Sequence, residues 1–152
     1  MDRTHIAAAA LAAALAACSG SAFAQSDAVA GQAFFDKNCA ACHQPGGSGL
    51  AGIAPSLAGT LAPLLARDEG RQYVVQVMVH GLSGKIVSQQ QVFNLAMPPQ
   101  PMFSDAELAD AARYVASLNG SSANFSPEDV ARARANTPSH KQLRELRERL
   151  LK

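Results

Sequence analysis

The chain has no tryptophan, and aromatic residues make up only 5% of its 152 residues. An excess of either charge is missing too, the net value being +1, so no basic field marks a nucleic-acid binder. Beyond the first two dozen residues no apolar run approaches the length of a membrane span. The mature chain is therefore expected to be soluble, or tethered only at its N-terminus. No Ser/His/Asp set, no paired carboxylates and no phosphate-binding loop stand out, which leaves the common enzyme classes without support. Cysteine is scarce: Cys18, Cys39 and Cys42 are the only three, and no structural disulfide is expected from them. The 48% apolar content still suffices for one domain with an appendage.

What is present begins with a targeting segment. Arg3 gives a weakly positive start, Ile6 to Ala17 is an unbroken apolar run, and Ser21-Ala22-Phe23-Ala24 offers small residues for cleavage. Residues 1–24 thus read as a secretory signal peptide, with Gln25 as the expected mature N-terminus. A second reading stands beside it: Leu15-Ala16-Ala17-Cys18 fits a bacterial lipoprotein signal, in which Cys18 is acylated and tethers the chain. Either route exports the protein, and a periplasmic location is expected.

Both routes leave Cys39 and Cys42 for one task. They stand in Cys39-Ala40-Ala41-Cys42-His43, the C-x-x-C-H pattern of covalent c-type haem attachment. Side chains three apart on a helical turn share a face, so both thiols can reach the vinyl groups on one porphyrin edge. The adjoining imidazole of His43 is then the proximal iron ligand. A thioredoxin-like C-x-x-C needs a βαβ context, and nothing nearby reads as strand. A zinc site needs more ligands, usually a second Cys/His pair, which the chain lacks.

Around this motif the sequence G-Q-A-F-F-D-K-N-C-A-A-C-H, from Gly31 to His43, resembles the opening of small class I c-type cytochromes. Ser26 and Asp27 are a candidate start for the helix leading to it. In that family the glycine lets this helix cross closely against the last helix. The glycine-rich loop Gln44 to Gly52 leads to Ile53-Ala54-Pro55-Ser56-Leu57-Ala58-Gly59, similar to the family's proline segment. The match implies that the Pro55 carbonyl accepts the other ring N–H of His43; a proline that only shapes a loop remains the plainer alternative. Arg71 to His80 is patterned as a helix, with Tyr73, Val74, Val77 and Met78 on one face and Gln72, Gln76 and His80 as a polar stripe. Gly81 to Asn94 reads as loop, with a solvated turn at Ser88 to Gln91. The stretch Met97-Pro98-Pro99, followed by Ser104-Asp105-Ala106-Glu107, resembles the family's distal-ligand loop and final helix. That resemblance implies Met97 as the second iron ligand. Met102 and His80 are the alternatives, and Met78 reads as core.

Ser104 with Glu107 forms a capping box, and Leu108, Ala111, Ala112, Val115 and Leu118 make one apolar stripe. Tyr114 matches the family's aromatic residue packed near Gly31. Residues 26–118 are thus expected to be the haem domain, and 119–152 a flexible linker, opened by Asn119-Gly120-Ser121-Ser122, with a helical extension. In the extension Ser126-Pro127 starts one helix. A second, after Pro138, carries Leu143, Leu146 and Leu150 on one face, with a Glu145–Arg149 pair. It either docks, on a partner or on the haem domain, or stays largely solvated.

The expected fold is all-α: a small cytochrome c fold with helices wrapped around one haem c, held through Cys39 and Cys42. The resemblance implies a one-electron carrier, not an enzyme, working between redox proteins such as a dehydrogenase, an oxidase or another cytochrome. If Met97 does not ligate iron, an open-site haem protein, a gas sensor or small redox enzyme, is the alternative.

Overall fold

A computed structural model describes residues 21–152. The apolar run of the targeting segment and Cys18 lie outside the described residues. Helix α1 spans Ser21–Asn38 and begins upstream of the Ser26–Asp27 start, where Ala22 and Ala24 are strong helix formers. It breaks at Cys39, and the single turn α2, Ala40–His43, follows. A 3-10 turn at Pro45–Gly47 opens the glycine-rich loop. Next come the short α3, Ala62–Leu65, and α4, Asp68–His80. Helix α4 starts earlier than the apolar periodicity alone suggests, because Asp68 and Glu69 in its first turn complement the helix dipole.

The molecule is mostly helical, as expected, with one addition. Ile86–Ser88 (β1) and Gln91–Phe93 (β2) pair as an antiparallel hairpin inside the stretch expected to be loop. Gln89 and Gln90 both have positive φ, 49° and 65°, which is what a two-residue type I′ connection requires. That turn usually advertises itself as Asn-Gly; here two glutamines carry it. Val87 and Val92, paired across the hairpin, face solvent, whereas Ser88 and Phe93 are buried.

Helix α5, Asp105–Ser117, carries the expected Ser104–Glu107 capping box. It crosses α1 in the most extensive helix–helix contact of the fold. At the crossing a Cβ on Gly31 would stand 2.3 Å from the Asp110 carbonyl oxygen and 3.1 Å from Tyr114 Cβ. Only a residue without a side chain allows this approach. Phe35 meets Tyr114 with ring centroids 5.2 Å apart, and Phe34 meets Phe103 edge-on at 4.8 Å.

The C-terminal part is fastened to the rest. Asn119, expected to open a flexible linker, is a tie: its side chain donates to the Leu57 and Val115 carbonyls and accepts from Leu61 N–H. Helices α6, Pro127–Ala135, and α7, His140–Leu150, each begin with a capping box, at Ser126 and Ser139. Both pack against α4. Phe125, Val130, Leu143 and Leu150 are buried in the common core. Arg149 pairs with Glu69 of α4 at 2.9 Å, and Glu145 pairs with Lys141. The expected Glu145–Arg149 bridge gives way to these because α4 offers Arg149 a carboxylate across the interface. Gly84 makes room for the guanidinium of Arg144, which donates to the Ser83 carbonyl. Among the described residues no helix is long and apolar enough to cross a membrane.

Candidate functional site

The end of α1 delivers Cys39, and the tight α2 turn delivers Cys42 and His43. Cys42 N–H and His43 N–H both bond to the Cys39 carbonyl, at 3.2 and 3.0 Å. The chain then turns away sharply at Gln44, whose φ of 61° with ψ of 156° is a region that side chains seldom occupy. The thiols and the imidazole open on one cavity of about 300 Å³, at the lower end of the ~300–1,000 Å³ typical of ligand pockets. Its walls are mainly apolar: Phe35 from α1, Leu57 and Leu61 from the loop, Val74 and Val77 from α4, Phe93 from the hairpin, and Leu108 and Val115 from α5.

His43 is only 9% exposed. Its Nδ1 donates to the Pro55 carbonyl at 3.1 Å, which leaves Nε2 as the nitrogen available to a metal. Burial lowers the imidazole's pKa, and the Pro55 bond opposes it more weakly. The neutral form that ligates metals is thereby favoured. Burial, helped by the neighbouring Cys42, pushes the Cys39 thiol up to about 11. Both cysteines are free of disulfide.

The methionines fall in different places. Met97 is half-buried and lines the cavity, and its backbone bridges to Leu82 at 2.8 and 3.0 Å. Met102 is 70% exposed and outside the lining. Met78, expected to be core, also lines the cavity. The His80 ring is engaged elsewhere, Nε2 donating to the Ala133 carbonyl at 2.9 Å. Two titratable residues of the cavity are not marked as site residues by the sequence. Tyr73 is one, and burial raises its phenol to about 12 against the pull of a nearby arginine. That arginine, Arg147 of α7, is the other. Its signal was available: it sits four residues after Leu143 and three before Leu150, a charge on an apolar stripe.

Two thiols spaced on one turn, a neutral imidazole with its outer nitrogen tied, and an apolar cavity between helices suit a covalently attached haem. The fold and the cavity define a c-type haem protein. A profile of the family described as cytochrome c matches residues 28–119. Two proteins named cytochrome c-552, one from Thermus thermophilus and one from a particular strain of that organism, are each 32% identical over 118 residues. The alignments cover 74% of this chain and 90% and 80% of those proteins. The chain belongs to the cytochrome c family. Its cofactor is one haem c, bound covalently through Cys39 and Cys42, and it is a haem electron carrier.

Proposed function

We propose that the protein is a periplasmic one-electron carrier in which His43 and Met97 would hold the iron of its haem. Residues 1–24 direct export, residues 26–118 form the haem domain, and residues 119–152 form an extension fastened onto it. The observation that supports the ligand set is that His43 and Met97 line the same cavity as both thiols. Bound haem supplies a one-electron iron couple, and a thioether ligand raises its potential relative to a second histidine. The chain does the rest. Cys39 and Cys42 fix the ring, Pro55 holds the His43 tautomer through Nδ1, and Met97 is steadied by its two backbone bonds to Leu82. The apolar walls keep water from the cofactor. With His43 and Met97 both holding the iron, no place would be left for substrate, so the protein would pass electrons between redox proteins (a dehydrogenase, an oxidase or another cytochrome) and would not act as an enzyme.

The test is the methionine series. Met97→Ala should abolish the weak far-red charge-transfer band of the ferric protein, lower the reduction potential and open the iron to carbon monoxide. Met102→Ala and Met78→Leu should leave all three nearly unchanged. If Met78→Leu or Met102→Ala removes the band and Met97→Ala does not, the ligand assignment fails while the haem stays. Carbon monoxide binding by the reduced wild-type protein would point instead to an open-site haem protein.

A further inference from the structure

Helix α4 has two working faces. Tyr73, Val74 and Val77 line the haem cavity, whereas Asp68, Arg71, Val75 and Gln76 line a second cavity, of about 400 Å³. Helix α6 and the residues leading into it form the opposite wall, with Phe125, Asp129, Arg132 and Asn136. That wall lies beyond the residues 28–119 that match the family, so the extension supplies half of the site. Both helices repeat one pattern: an aspartate with an arginine three residues on, paired as Asp68–Arg71 and as Asp129–Arg132. Side chains three apart share a helix face, so each pair stands at the cavity as a unit. Further bonds hold the pairs in place. Arg71 Nη1 donates to the Leu65 carbonyl at 3.0 Å, and Asp129 Oδ2 accepts from Ser126 N–H at 2.8 Å. Val75 and Phe125, 2% and 1% exposed, are the apolar part of the lining. One polar atom is left unanswered: Gln76 Oε1 is buried and has no hydrogen-bond partner among the described residues. A buried acceptor without a donor is unfavourable. The terminal torsion of a glutamine is soft, so the amide can turn this oxygen into the cavity that Gln76 lines.

We propose that this cavity binds a neutral polyhydroxylated small molecule, a sugar or cyclitol, through Gln76 and the two aspartate–arginine pairs. The balance of charge selects this class. Each guanidinium already has a carboxylate beside it, so an anion or a cation entering here meets a like charge at both walls. A divalent metal meets the same obstacle, and among the described residues no group of three His, Cys, Asp or Glu side chains stands together. A hydroxyl both donates and accepts. Adjacent hydroxyls can therefore address the carboxylate and the guanidinium of one pair without separating them. A hydroxyl also gives Gln76 Oε1 the donor it lacks, while the C–H face of a ring covers Val75 and Phe125. One water, with a share of about 30 Å³ of liquid volume, fills little of the space. Because the pairs are held by their own bonds, little ordering is left to be done when the ligand enters. The site is separated from the haem cavity by α4 and is independent of the iron's ligand set.

The experiment titrates the mature, reduced holo-protein, labelled with nitrogen-15, with D-glucose and with myo-inositol, and follows amide resonances by NMR. At least one of the two should give shifts that saturate and that fall on the Gln76 and Asn136 side-chain amides and on the backbone from Phe125 to Asn136. Gln76→Met keeps the length of the side chain and removes the acceptor. It should raise the half-saturating concentration about threefold to tenfold, the scale of one hydrogen bond. Arg132→Gln should do the same, and because this side chain is 68% exposed it decides the matter if Gln76→Met does not fold. Glu148→Gln, on the exposed side of α7, is the control and should bind as wild type does. Shifts that grow linearly with concentration over the whole protein are a solvent effect and overturn the site. Variants at Gln76 and Arg132 that both bind as wild type overturn it as well. Glycine or inorganic phosphate saturating these resonances while both polyols stay silent overturns the class of ligand.

Discussion

Gly31→Ala sets two well-understood effects against each other, and the structure says which wins. By intrinsic propensity alone, alanine in a helix interior is favoured over glycine by about 1 kcal/mol. At this position, however, the new methyl would stand 2.3 Å from the Asp110 carbonyl oxygen and 2.9 Å from its carbon. These are backbone atoms of α5, not the end of a flexible chain, so relief requires moving one helix against the other. Opening that contact to an ordinary carbon–oxygen distance takes a shift of about 1 Å, enough to forfeit a quarter to a half of the dispersion energy of the atoms pulled apart. The face that must move includes Leu108, Ala109 and Ala112, each at most 1% exposed. Overpacking of this kind costs about 1–3 kcal/mol, and a rigid obstacle puts the cost at the upper end. The net expectation is a loss of about 2 kcal/mol, with a thermal midpoint lower by roughly 5–10 °C. The assay is guanidinium unfolding of the mature holo-protein, followed by far-ultraviolet circular dichroism and the Soret band. Gln32→Ala, on the exposed side of the same helix, is the control and should stay within about 0.5 kcal/mol. A Gly31→Ala protein as stable as wild type, or more so, would refute the close crossing.

Two further outcomes are expected. Leu143→Ala removes a side chain that is 1% exposed and should cost about 2–5 kcal/mol in a single unfolding transition; a loss below about 1 kcal/mol would mean that α7 is not part of the cooperative unit. Intact-mass analysis of protein from its native host should give a chain beginning at Gln25 plus one haem that survives acidified-acetone extraction, whereas a diacylglyceryl addition at Cys18 would make it a lipid-anchored cytochrome.

The parts legible in the sequence are those whose chemistry is local. Cys39 and Cys42 announce themselves because thioether attachment needs two thiols at that spacing, and the proposed ligand His43 follows directly after them. The caps at Ser104 and Ser126 are four-residue patterns, and both stand as expected. What stayed hidden depends on partners far along the chain. The hairpin is invisible in the sequence because its turn is made by Gln89 and Gln90, which strain into positive φ without the usual asparagine or glycine. Asn119 looks like linker by composition, yet its two amide functions find Leu57, Leu61 and Val115. Helical spacing pairs Arg149 with Glu145, but Glu69 lies 80 residues away in sequence and at its side in space.

Arg147 shows why such a residue escapes notice and why it bears on function. A charge on an apolar stripe reads as an exposed residue at the edge of the buried face, and ordinarily it snorkels to solvent. Here the flanking leucines are fully buried and the hairpin carbonyl of Val87 takes one N–H, so the side chain is directed into the fold. The segment beyond residue 119 therefore does two things at once. It adds Phe125, Val130, Leu143 and Leu150 to the shared core, and it closes the cavity with a cation. Stability and electrostatics are then coupled through one helix. Whatever loosens α7 also loosens the charge beside the cavity, so a substitution at Leu143, although outside the cavity lining, acts on the site through its neighbour one turn on.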